Sequence, residues 1–157
     1  MKKMQVHGVN LDVMTNQPVV ILKDVENKRF LPIWIGQFEA TSILMELQGV
    51  KSTRPLTHDL MRSIFESLDI KLKKVVINNI EDGTFFARIH VESNSEELDL
   101  DARPSDAIAL AVRVKAPIYA DEEVVEKASI ISEDGEEEEV ERFKDFIETV
   151  NPEDFTE

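Results

Sequence analysis

Two segments of this chain carry residue types that could do chemistry: Arg54-Pro55-Leu56-Thr57-His58-Asp59-Leu60 and, forty-nine residues on, Arg103-Pro104-Ser105-Asp106-Ala107-Ile108-Ala109-Leu110. In each, an Arg-Pro is followed by a Ser or Thr, then an Asp, then an apolar run, which is the local chemistry of a helix start. The first turn of a helix carries unpaired N–H groups and the positive end of the dipole, so an arginine beside it makes a natural site for phosphate or carboxylate. Arg54 and Arg103 are therefore candidate phosphate clamps, each able to grip two oxygens. Thr57 falls two residues after its proline and Ser105 only one after, which argues against an internal duplication.

Chemistry on a bound phosphate group would also need a proton acceptor and a way to hold charge on a leaving oxygen, supplied by carboxylate-bound metal or by His and Arg. His58 is the best single acid-base candidate, because it sits in a helix first turn beside Arg54 and Asp59 and histidine is the residue type most often used for proton transfer. Asp101 and Asp106 flank the second Arg-Pro turn. With Glu39 or Asp59 they could complete an oxygen shell for Mg²⁺ or another divalent cation. Each has a structural alternative: Asp106 stabilising its helix dipole, Asp101 pairing with an arginine, His58 packing, and the arginines tying their loops to carboxylates or to a second protomer. Asp59 and Asp106 also occupy the helix ends that a phosphate would want and repel it unless a cation offsets them. His7 and His90 lie on strands with no partner at metal-ligand spacing and read as structural. Trp34 and Phe30 could stack bases or serve as core or dimer contacts. The sequence displays no Gly-rich phosphate loop, no His-x-x-x-His pair and no Ser-His-Asp set.

The elements that would hold these residues follow from periodicity. Met4 and Val6, then Val9, Leu11 and Val13, alternate in opposite registers, which places a bulge at Gly8. Val19 to Leu22 and Phe30 to Ile35 complete a three-stranded meander. Helical spacing marks Phe38 to Leu47, stopped by Gly49, and about Thr57 to Leu68. Strands follow at Lys71 to Ile80, Thr84 to Val91 and Leu98 to Ala102, with Asp82-Gly83 as a hairpin turn. Ala107 to Val112 is apolar all round, so the helix near 105–115 is a buried one, with Arg113 and Lys115 suiting its C-terminal dipole. A short strand at Pro117 to Ala120 and a short helix at Asp121 to Ala128 complete the body. Without regular β-α-β alternation, this predicts a single α+β domain with a mixed sheet packed by several helices.

The 157-residue chain carries a net charge of −14, which at first argues against nucleic acid. Counted by segment, residues 1–120 hold 15 Lys/Arg against 16 Asp/Glu, whereas 121–157 hold 3 against 16. A near-neutral body can still carry a basic patch, with Lys73, Lys74, Arg54, Arg62, Arg103, Arg113 and Lys115 as candidates. We divide the chain into a domain over 1–132 and an acidic linker with a C-terminal helix over 133–157, where Val140, Phe143, Ile147 and Val150 recur at helical spacing. The absence of cysteine excludes disulfides and thiolate chemistry. No apolar run approaches the roughly 20 residues of a membrane span, so the expectation is a cytoplasmic protein without membrane contact.

Leu31-Pro32-Ile33-Trp34-Ile35-Gly36 with Glu39-Ala40, the Arg54 to Leu60 segment, and Asp101-Ala102-Arg103-Pro104-Ser105-Asp106-Ala107-Ile108-Ala109-Leu110-Ala111 together resemble the bifunctional nuclease domain family. Three motifs in order cover roughly residues 4–130. The resemblance implies an α+β domain, commonly a homodimer, in a family whose plant members act on DNA and RNA. The expectation is a nuclease acting on both and assisted by a divalent metal, with His58, Asp101 and Asp106 as chemical groups and Arg54 and Arg103 on the phosphate. Its alternative is a non-catalytic dimeric module that binds an anion or regulates a partner.

Overall fold

The computed structural model describes residues 1–131. The chain opens with β1 (Lys2–Asp12), β2 (Gln17–Asp24) and β3 (Arg29–Trp34), an antiparallel meander. The register of β1 against β2 shifts between Val6 and Gly8, so the bulge falls where the alternation of apolar residues changes phase. Val13, expected to continue that strand, instead lies exposed in the turn after it. Helices α1 (Gln37–Leu47) and α2 (Thr57–Ser67) follow, and Gly49 just past α1 takes a positive φ of 69° that suits a helix stop.

A second meander consists of β4 (Lys71–Glu81), β5 (Thr84–Ser93) and β6 (Glu96–Ala102). Asp82 and Gly83 both have positive φ, as do Asn94 and Ser95, so tight turns with left-handed residues close both hairpins. Then come α3 (Pro104–Val114), β7 (Ile118–Ala120), α4 (Glu122–Ala128) and a two-residue β8 (Ile130–Ile131) that pairs with β3 and that no periodicity announced.

The result is one eight-stranded sheet in the order β6-β5-β4-β7-β1-β2-β3-β8. Its pairings are antiparallel except for β4 with β7, and among the described residues β7 alone joins the two meanders. This is the α+β class with a mixed sheet. Helix α3 packs on α1, α2, β4 and β5, and its residues Ala107, Ile108, Ala109, Leu110 and Ala111 are buried, as an all-round apolar helix requires. The acidic segment and terminal helix expected beyond residue 132 lie outside the described residues. No helix among the described residues is long and apolar enough to cross a membrane.

Candidate active site

The two helix starts are built without the caps their sequences suggested. Leu56 and Arg103 are the extended residues before α2 and α3, and neither makes a side-chain cap bond. Thr57 and Ser105 fall inside the first turns. In α3, Pro104 occupies the first turn, where its fixed φ and missing N–H are tolerated. In α2, the Asp59 carboxylate reaches back to accept the Leu56 N–H at 3.0 Å.

His58 brings the two starts together. Its Nε2 lies 2.9 Å from Asp106 Oδ1, and its Nδ1 lies 2.7 Å from Ser42 Oγ in α1. An ionised carboxylate can only accept, so in the neutral ring Nε2–H donates to Asp106 and Nδ1 accepts from the Ser42 hydroxyl. A Ser-His-Asp set therefore exists, drawn from three helices, although the sequence displays none. Ser42 and His58 are 4 % and 5 % exposed. That burial makes them supports of Asp106 and leaves the carboxylate, with 28 % of its side chain accessible, as the group that reaches solvent.

Arg103 covers the other side of Asp106. Its Nε and Nη2 both lie 2.8 Å from Asp106 Oδ2, and its Nη1 is 3.6 Å from Glu39 Oε1. The bond to Asp106 and that carboxylate's charge raise the guanidinium pKa above its ordinary value. The Arg103 side chain is nevertheless 68 % exposed. It opens onto a cleft of ≈ 420 Å³ whose lining includes Trp34, Gly36, Glu39, Phe85 and Ser105. Trp34 stands on its rim, with the indole N–H donating to Asp12 Oδ2 at 2.9 Å. Phe30 points elsewhere, into a small buried cluster with Val19 and Ile21, and meets the His7 ring edge-on. His90 pairs with Asp99.

The remaining predicted residues do not join this site. Asp101 is exposed on β6, in register with Arg88 of β5. Arg54 is exposed before α2 and forms no hydrogen bond or ion pair with another described residue. Among the described residues, no three His, Asp or Glu side chains gather as metal ligands do. Asp106 has one oxygen on His58 and the other on Arg103, so Asp101, Asp106 and Glu39 do not form a ready oxygen shell.

Two residues outside the predicted site, Arg113 and Ser42, hold the arrangement. Arg113, expected to suit the end of α3 or to join a basic patch, has a side chain 2 % exposed and donates to Asp59 Oδ1 at 2.7 Å, to Ala109 O at 3.0 Å and to Ser42 O at 3.2 Å. Burial pushes the Asp59 carboxyl up, but the Leu56 N–H, the Arg113 bond and the charges of Arg113 and Arg62 outweigh it and hold the group below the usual carboxylate range. Ser42 thus serves His58 with its hydroxyl and Arg113 with its carbonyl. Both helix-start aspartates are offset by an arginine, which removes the repulsion expected of them.

The model of the bifunctional nuclease domain matches residues 20–133. An uncharacterized protein of Mycobacterium tuberculosis is 42 % identical over 164 residues, spanning 99 % of this chain and 98 % of its own length. Bifunctional nuclease 2 of Oryza sativa is 27 % identical over 115 residues and bifunctional nuclease 1 of Arabidopsis thaliana 26 % over 115, each match spanning 71 % of this chain and 35 % of the plant protein. With the three sequence motifs joined by the Glu39–Arg103 and His58–Asp106 contacts, the chain belongs to the bifunctional nuclease domain family.

Proposed function

We propose that this chain hydrolyses phosphodiester bonds of DNA and RNA in the Arg103 cleft. The observation that carries the reading is the His58–Asp106 contact of 2.9 Å, which delivers an oriented carboxylate to the exposed guanidinium of Arg103. In this reading Arg103 shifts part of its bonding from Asp106 to a non-bridging phosphate oxygen and stabilises the charge that builds there. Asp106, released from one cation, accepts the proton of the attacking water. As the water oxygen bonds to phosphorus, the bond to the leaving oxygen breaks, and the proton passes from Asp106 to that oxygen. His58 touches no substrate and acts as a positioning residue, holding Asp106 through Nε2–H.

Support comes from the family and from relatives named bifunctional nucleases. The test is hydrolysis of single- and double-stranded DNA and RNA by the purified chain, with Mg²⁺ and with a chelator. Asp106→Asn keeps the shape and removes the base, so its rate should fall on the order of a hundredfold or more. Equal rates for wild type and Asp106→Asn would remove this mechanism.

A second reading has its own observation: both Asp106 oxygens are already bonded and His58 is buried, as in a fastening of three helices. Under it the chain is a non-catalytic module that binds an anion at Arg103. No hydrolysis under any of those conditions, with nucleotide binding that Arg103→Ala abolishes, would favour it.

A further inference from the structure

A second cleft, of ≈ 540 Å³, shares no lining residue with the Arg103 cleft. It lies between the end of α1, the segment at 50–56, α2 and the C-terminal end of α3. Lys51, Arg62 and Lys115 line it, with Arg113 beside them and only Glu46 and Asp59 as carboxylates. Asp59 is already bonded to Arg113, and neither Lys51, Arg62 nor Lys115 forms an ion pair with a described residue. Where residues 1–120 hold 15 Lys/Arg against 16 Asp/Glu, this is a local excess of cations around a concave surface.

Two structural explanations are insufficient. Helices α1 and α3 both end at the cleft, and their terminal carbonyls could attract cations. Those ends are already capped by backbone N–H groups: Gln48 to Leu44, Val50 to Met45 and Ala116 to Ala111. The second concerns Lys115, the residue that closes α3. Its φ of 58° and ψ of 38° are left-handed, a conformation in which Gly or Asn is favoured and a lysine is strained. Helix geometry therefore gives no reason for a lysine there, yet its side chain lines the cleft.

We propose that this cleft is a phosphate-binding site, separate from the Arg103 cleft, in which Lys51, Arg62 and Lys115 hold the phosphates of a free polyphosphate or of a nucleic-acid backbone. The inference stands whether or not the chain cleaves nucleic acid. Calorimetric titration of the full chain at low salt, with pyrophosphate in one arm and a short DNA oligonucleotide in the other, tests it. Pyrophosphate should bind, and Lys115→Gly and Arg62→Gln should each weaken it about tenfold. Glycine suits a left-handed helix end, so Lys115→Gly should melt no lower than wild type, which separates lost binding from lost folding. Lys3→Gln, at an exposed lysine on β1 that lines neither cleft, should leave pyrophosphate affinity unchanged, which ties the loss to this cleft and not to overall charge. A weaker oligonucleotide complex in Lys115→Gly, with a salt slope smaller by about one, would identify the backbone as the source. An unchanged one beside weakened pyrophosphate would identify free polyphosphate. Wild-type affinity of both variants in both arms, or no binding by wild type, would overturn the proposal.

Discussion

Arg103–Asp106 and Arg113–Asp59 are the same pair of side chains placed in two environments. In the first, the partners lie three residues apart at the start of one helix, and the guanidinium is 68 % exposed. In the second they lie 54 residues apart on different helices, and the guanidinium is 2 % exposed. A pair formed within one turn constrains nothing beyond that turn and keeps its charge available to a ligand. A pair formed across helices loses its hydration, and only the added acceptors at Ala109 and Ser42 offset that loss. One arginine is free to do chemistry because the other holds the frame.

The sharpest way to break this comparison is to remove each arginine in turn. Arg113→Ala leaves the Asp59 charge and two carbonyls without their partner and should destabilise the chain by about 3–5 kcal/mol, whereas Arg103→Ala should cost less than about 1 kcal/mol. Urea unfolding measures both, and equal losses would erase the distinction. The difference should also depend on pH. Asp59 has a lowered folded pKa, so its contribution is full above the unfolded value near pH 4 and is lost as pH falls through the folded one. The gap between wild type and Arg113→Ala should therefore narrow in acid. A gap that stays constant below about pH 4 would show that Asp59 is not what Arg113 stabilises.

His58 joins the two sides, so His58→Ala should fall between them, at about 1–3 kcal/mol, from an unpaired Ser42 hydroxyl and a less constrained Asp106. A cost below that of Arg103→Ala would mean that the halves are held independently. The smallest effect belongs to Gly36→Ala. A Cβ there would collide with the Glu39 carboxylate, the flexible end of a side chain that can swing away. Stability should change by no more than about 0.5 kcal/mol, while Glu39 leaves Arg103. A large loss would show that Glu39 is fastened more firmly than the exposed side of the comparison allows.

Local pattern carried a reader far through the fold and only partway into the site. The Gly8 bulge, the Asp82-Gly83 turn and the buried α3 each depend on residues within a few positions of one another. The site depends on separations that periodicity does not encode. Ser42 is 16 residues from His58, and Arg113 is 71 from the Ser42 carbonyl it binds. Arg113 stands where a helix dipole or a basic patch would account for it, and no neighbour in sequence signals that Asp59 of α2 binds it. Asp101 was the reverse case: five residues from Asp106 in sequence, it lies on an exposed edge strand, because a strand end and a helix start diverge at the Arg103-Pro104 turn.

β7 gives the sheet a particular assembly order. Each meander pairs strands that are neighbours in the chain, so short turns close those contacts at small entropic cost. Continuity between the meanders depends on three residues whose partners, Lys2 to Met4 and Val75 to Ile77, are separated from them by whole elements. Pairing β1 with β7 spans the largest sequence separation in the sheet, so loop-closure entropy predicts that it forms late. Until β7 is seated, the two meanders are separate hairpin stacks whose edges are open to strands of other chains.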